Sequence, residues 1–269
     1  MPFILALSRP CLRPPLRWLL LAVWSVAGCA AGAGAAQPSD AHGSWEVIQV
    51  AVDHRDQPHW AYYPDDPRLL GRQLQITPAG ISLDDDSRDC MQPRLSSLAP
   101  ATPGAFIGRR LARPPRLETP TAPTPDDFGL TLPDAEVRPL QIACTPDTSP
   151  WNGAWLLPLA DGRLLTNYDN SGYVLVLQRR AQGDPIRASF ACAEVHSVVE
   201  QAICASPSLA GYDRSVAAAY RRAQGLAGDD AGTLKQEQIS WLQGRNACGA
   251  NADCLAQKMR ERVDQLMQQ

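Results

Sequence analysis

The cysteines constrain this chain most. Six of the eight, Cys90, Cys144, Cys192, Cys204, Cys248 and Cys254, lie in the part that an exported protein would keep. The other two, Cys11 and Cys29, fall in an N-terminal segment carrying Arg9, Arg13 and Arg17, then an apolar run from Trp18 to Gly28, then small residues from Ala30 to Ala36. That order of charge, apolar run and small residues marks a secretory signal peptide. The apolar run is about half of the ~20 residues that a membrane-crossing helix needs. Residues 1–29 therefore read as a leader and residues 30–42 as a linker. Val26-Ala27-Gly28-Cys29 has the form of a lipobox, which would leave Cys29 acylated, while Ala33-Gly34-Ala35 offers an ordinary A-x-A cleavage. The expectation is a periplasmic protein or an outer-membrane lipoprotein, touching the membrane only through that lipid.

An even number of cysteines in an oxidising compartment reads as disulfides. Zinc is the rival reading, but the C-terminal spacings are C-x11-C and C-x5-C, and His196 has no histidine partner at ligand spacing. No metal or cofactor is expected. Losing the leader removes three arginines from the 25 basic residues and none of the 28 acidic ones, leaving 22 against 28, a formal charge of −6. That balance argues against nucleic acid, which needs clustered Lys and Arg.

Two patterns divide the remainder. From residue 43 to about 182 the chain alternates short β-type segments with turn residues. Ser44 to Val52 is rich in Val, Ile and Trp; Leu74 and Ile76 face Ile81 and Leu83 across Pro78-Ala79-Gly80; Leu156 to Leu165 turns at Asp161-Gly162; and Tyr173 to Leu177 follows the turn Asp169 to Gly172. This is hairpin chemistry, and it predicts a small antiparallel barrel or sandwich with the strand order left open. Within it, about residues 95–135 form a proline-rich stretch that cannot sit in central strands and reads as a long surface loop. Cys90 and Cys144 flank it as the only cysteines of this region and should pair, closing a loop of 53 intervening residues.

After Arg180 the period becomes helical. Ser197-x-x-Glu200 is a capping box, and Ser206 followed by Pro207 starts a longer helix with Leu209, Tyr212, Val216, Tyr220 and Ala223 on one face. Gly225 to Asp230 makes a turn; Thr233-x-x-Gln236 should cap a third helix, and a fourth from about Cys254 presents Leu255, Met259, Val263 and Leu266. Folding the middle pair about a centre near residue 229 sets Val216 against Leu242, Tyr220 against Gln238 and Asp213 against Arg245. The last two are charges on inward faces, which predicts a partly buried ion pair. The same folding brings Cys192, Cys204, Cys248 and Cys254 within reach of one another, and local and crossed pairings both remain open. The fold class is thus α+β: a β barrel or sandwich, then a disulfide-stapled helical hairpin domain over residues 188–269.

These helices carry a family resemblance. Cys192, Val199-Glu200, Ala202-Ile203-Cys204, Leu209, Asp213, Ala219-Tyr220, Gln238, Trp241-Leu242, Arg245, Cys248 and Cys254-Leu255 are similar to the LprI-type lysozyme inhibitor domain, with its E-x-x-I-C segment, its D-x(5-6)-A-Y helix and its Q-x-x-W-L-x-x-R-x-x-C helix. The likeness covers about a third of the chain. It implies an inhibitor that binds a lysozyme. Taken one by one, the matching residues Asp213, Tyr220, Gln238, Trp241 and Arg245 read as structural, as a module near 80 residues with a marginal core requires.

A search for catalytic chemistry finds no G-x-S-x-G elbow, no H-E-x-x-H and no Gly-rich phosphate loop. Asp84-Asp85-Asp86 with Asp89 lacks calcium-loop spacing and reads as a solvated turn. His54, His59, Trp60, Tyr62 and Tyr63 form an aromatic loop that could line a ligand groove, anchor a protein interface or fold onto the mouth of its own barrel. No enzyme activity is expected. The sequence reads as an exported binding protein of the envelope that occludes a lysozyme. The alternatives are a structural or assembly role beside another envelope protein, or a barrel that holds a small apolar ligand.

Overall fold

The computed structural model describes residues 38–55, 61–84, 90–112, 122–167 and 172–268. The leader, the lipobox with Cys29, and His59, Trp60, Asp85, Asp86 and Asp89 lie outside the described residues. Eight antiparallel strands follow one another round a closed barrel: β1 (Gly43–Val52), β2 (Gln73–Ile76), β3 (Gly80–Leu83), β4 (Cys90–Ser97), β5 (Leu140–Thr145), β6 (Trp155–Pro158), β7 (Arg163–Asn167) and β8 (Tyr173–Arg180). β8 closes on β1, with Ser44 opposite Arg180 and Val52 opposite Tyr173, and closure leaves no open sheet edge. The hairpin registers are those the turns predict, Leu74 against Leu83, Ile76 against Ile81 and Leu157 against Leu165.

Period-2 alternation sorts the strand residues onto two faces. In β8, Tyr173, Leu175 and Leu177 join the interior cluster, while Val174 and Val176 join an outer one. Side chains from all eight strands fill the interior, with Trp45, Trp151 and Tyr173 as its largest members. Trp45 also donates from Nε1 to the Ala41 carbonyl, 2.9 Å away, which seats the short 3-10 turn Pro38–Ala41 against the same cluster.

The proline-rich stretch departs from the expected surface loop. Thr102 caps a helix, α1 (Pro103–Arg110), and a 3-10 turn follows at Pro125–Phe128. Together they lay Phe106, Ile107, Phe128 and Leu130 over the outer faces of Trp155, Leu157, Leu165, Val174 and Val176. Those strands are apolar on both faces because both are covered. Prolines suit this strap because it needs no ladder donor.

Cys90 and Cys144 join β4 to β5, as expected, with Cα atoms 5.2 Å apart. The helical region pairs its cysteines locally, Cys192 with Cys204 and Cys248 with Cys254. On chain entropy the three bonds contribute about 4, 3 and 2 kcal/mol in that order. In denaturant unfolding, the double variant Cys90→Ala/Cys144→Ala should lose most, and the opposite ranking would show that strain or residual structure dominates.

The helices are α2 (Val198–Cys204), α3 (Pro207–Leu226), α4 (Ala231–Asn246) and α5 (Ala252–Met267). The Ser197–Glu200 capping box and the Ser206 cap form as predicted. α4 begins earlier than its predicted Thr233 cap, at Asp230, directly after the 3-10 turn Gly228–Asp230. The predicted packing of α3 against α4 is a correction: the two meet near the Asp213–Arg245 pair but share little close contact, and α3 instead packs along α5, whose Leu255, Met259, Val263 and Leu266 are all buried.

Candidate functional site

The residues that carry the resemblance lie on α2, α3, α4 and α5 and around their ends. Arg245 Nη1 lies 3.5 Å from Asp213 Oδ1, and both residues are under a tenth exposed. Asp213 Oδ2 also accepts from the Ser189 backbone N–H at 2.7 Å. Arg245 donates from Nε and Nη2 to Asn246 Oδ1 and lies over the Trp241 ring, 5.6 Å from its centroid. Burial pulls the Arg245 guanidinium below its ordinary pKa, and Asp213 opposes the shift. Tyr220 and Trp241 pack partly buried against the helical core. Gln238 does not reach Tyr220 by hydrogen bond; its Oε1 accepts from Arg262 Nε on α5 at 2.9 Å. Asp213 with Arg245 thus ties α3 to α4, and Gln238 with Arg262 ties α4 to α5.

The other face of α3 is occupied by the barrel. Arg72, at the mouth of β2, is fully buried; its guanidinium stacks 3.5 Å from the Tyr212 ring centroid and donates from Nη2 to Ser215 Oγ at 2.7 Å. Asp84, just past β3, accepts at Oδ2 from Ser208 Oγ and at its carbonyl from Tyr212 Oη, both at 2.6 Å. Arg72 Nη1 and Asp84 Oδ1 stand 3.9 Å apart, and among the described residues neither has a hydrogen-bond partner. Burial pushes the Asp84 carboxyl above the usual carboxylate range, and Arg72 and the Ser208 hydrogen bond hold it down. Backbone meets backbone where Gly71 faces Gly211: a Cβ built on Gly211 would run into the Gly71 carbonyl oxygen. Beside Asp84 lies a cleft of about 640 Å³ walled by Gln73, Gln75, Ser82 and Ser206.

At one margin of this seam Glu46 accepts from Arg180 Nη1 at 2.8 Å and from Arg214 Nη2 at 2.5 Å. Arg214 also donates to the Arg187 carbonyl. Elsewhere Tyr62 packs edge-on against Tyr173 inside the barrel mouth, while Tyr63 lies under Arg222 of α3, 4.2 Å from centroid to guanidinium. Tyr62 and Tyr63 thus fold onto the protein itself, at the barrel mouth and against α3. Asp84 is a correction: it belongs to a buried junction, not to a solvated turn.

Of the six disulfide cysteines and the five motif residues, Cys90 meets Cys144 and Asp213 meets Arg245, as predicted. Sequence reasoning missed Arg72, Asp84, Arg262 and the Gly71–Gly211 approach. No curated protein and no solved structure matches the chain. The model of the family described as lysozyme inhibitor LprI matches residues 191–266, the segment made of the 3-10 turn Cys192–Glu194 and α2 to α5.

Proposed function

We propose that this is an exported, non-enzymatic envelope protein that binds a lysozyme and blocks its glycan cleft, with the helical module as the contacting part. The family match over residues 191–266 carries this reading. Disulfides suited to an oxidising compartment and a leader-like N-terminus support export. The faces of α3 toward the barrel and toward α5 are in use, so the contact surface is assigned to the outer sides of α2 and α4 and the end of α3. Val198, Ile239 and Leu226 are exposed there. The interior packed with Trp45, Trp151 and Tyr173 favours a barrel that acts as a mount over one that holds a small apolar ligand.

The test is the turbidity of a lysozyme-treated cell-wall suspension with the purified mature protein added in slight excess, oxidised or reduced. Protection by the oxidised form and its loss on reduction is the expected result. No protection against several lysozyme types would reject inhibition and direct attention to other envelope partners.

A further inference from the structure

β1, β2 and β3 stand side by side, and their register lines up Ser44, Gln75 and Ser82 across the three strands. Gln73 lies two residues back along β2 and so on the same face of the sheet. Leu74, Ile76, Ile81 and Leu83 fill the barrel interior, so this polar row faces outward. Here it does not look onto open solvent. The start of α3, Ser206 to Ser208, and the turn Ala181 to Asp184 after β8 rise over it and form the cleft of about 640 Å³ beside Asp84.

Several hydrogen-bonding groups in this cleft are unused. Gln73 is 7% exposed, and its Nε2 donates to the Gly71 carbonyl at 3.1 Å. Its Oε1 has no hydrogen-bond partner among the described residues, yet it is not sealed in, so it opens on the cleft that Gln73 lines. Gln75 Oε1 accepts from Ser44 Oγ at 2.7 Å, which leaves its Nε2 free to donate. The Ser82 hydroxyl has no partner among the described residues. Ser206 Oγ accepts from the Leu209 N–H and keeps its own proton to give.

Charge narrows the class of occupant. Among the described lining residues Asp84 and Asp184 repel an anion, and Arg180 is taken by Glu46 and by the Asp184 and Pro185 carbonyls. A cation fares no better, because Asp84 already answers to the fully buried Arg72 at 3.9 Å and Asp184 accepts from the Ala181 N–H. The described lining has no aromatic ring on which a planar ligand could stack. An apolar ligand would strip water from the Gln73 carbonyl without replacing its hydrogen bond. A neutral ligand that donates and accepts at many points satisfies every one of these conditions, as sugar hydroxyls do. Ile186 and Pro207 offer C–H surface for the apolar faces of sugar rings.

We propose that this cleft binds a short neutral oligosaccharide. Its hydroxyls would donate to Gln73 Oε1, accept from Gln75 Nε2 and bond in either sense with Ser82 and Ser206. The volume falls within the range of about 300–1,000 Å³ usual for small-molecule sites. None of the described lining residues belongs to α2 or α4, so the site does not rest on the lysozyme reading and either can fail alone.

The experiment titrates the mature protein with maltotriose, chitotriose and, as a control of similar length, triglycine, following the amide resonances of Gln75, Ser82 and Ser206 by NMR. Saturable shifts with a trisaccharide at a Kd in the millimolar range, and none with triglycine, are the expected result. Tighter binding of chitotriose would identify an acetamido-bearing glycan as the source, and tighter binding of maltotriose an unsubstituted glucan. Gln75→Met should weaken the trisaccharide about fivefold, the worth of one neutral hydrogen bond. Ser82→Ile, whose branched side chain suits a strand, should abolish binding by filling the cleft. Thermal melts matching the parent protein confirm that both variants fold. No saturable shift with either trisaccharide into the tens of millimolar, equal shifts with triglycine, or affinities unchanged by both substitutions would overturn the site.

Discussion

Asp213→Ala should destabilise the protein by about 3 kcal/mol, because it strands the Arg245 guanidinium inside the helical module without its carboxylate. Arg245 is 8% exposed, so water cannot replace the lost partner, and its remaining side-chain acceptor, Asn246 Oδ1, is neutral. The substitution also removes the acceptor of the Ser189 backbone N–H. Chemical denaturation monitored by tryptophan fluorescence would read the loss. Asp213→Leu combined with Arg245→Met should recover most of it, since exchanging a whole buried pair for apolar groups of similar volume is often neutral. A double variant as unstable as the single one would mean that the carboxylate acts mainly through Ser189.

Gly211→Ala should cost a similar amount, about 3 kcal/mol, by forcing apart two backbones that touch. The added methyl meets the Gly71 carbonyl, a rigid group, and Arg72 stands close behind it. At this size a loss of 3 kcal/mol lowers Tm by roughly 6–12 °C. Gly225→Ala lies in the same helix with nothing within 4 Å of the new methyl, and should raise stability by up to about 1 kcal/mol through helix propensity alone. The same substitution therefore carries opposite signs at two positions of α3. If Gly211→Ala proved as benign as Gly225→Ala, the barrel and α3 would not be in firm contact.

How much could be read in advance follows from how local each signal is. β2 and β3 were legible because alternation and a Pro-Ala-Gly turn lie within eleven residues of each other. β4 was not, because Pro93 and a positive φ at Gln92 interrupt its alternation beside a bulge against β5. Caps are local and gave the starts of α2 and α3 to the residue, whereas Thr233 imitates a cap inside a helix that Asp230 already starts. The Asp213–Arg245 pair emerged because two inward charges on neighbouring helices require each other. The junction was hidden for the converse reason: Arg72 and Asp84 sit on strand ends, where polar residues ordinarily mean solvent. Gly211 gave no clear trace of it either, because Gly225 interrupts the same helix at a similar cost with open space around it.

Because β1 and β8 are neighbours, the chain enters and leaves the barrel at the same rim: Ser44 stands opposite Arg180, about 5 Å across the ladder, and the helical module starts a few residues later. Anything that fastens the chain upstream therefore fastens the helical module too, and does not leave it at the far end of the barrel. If Cys29 were that point, the eight residues 30–37 before the turn seated on the barrel could span at most about 29 Å. The module would then patrol a thin shell of the space next to the membrane and meet an incoming enzyme only within that reach.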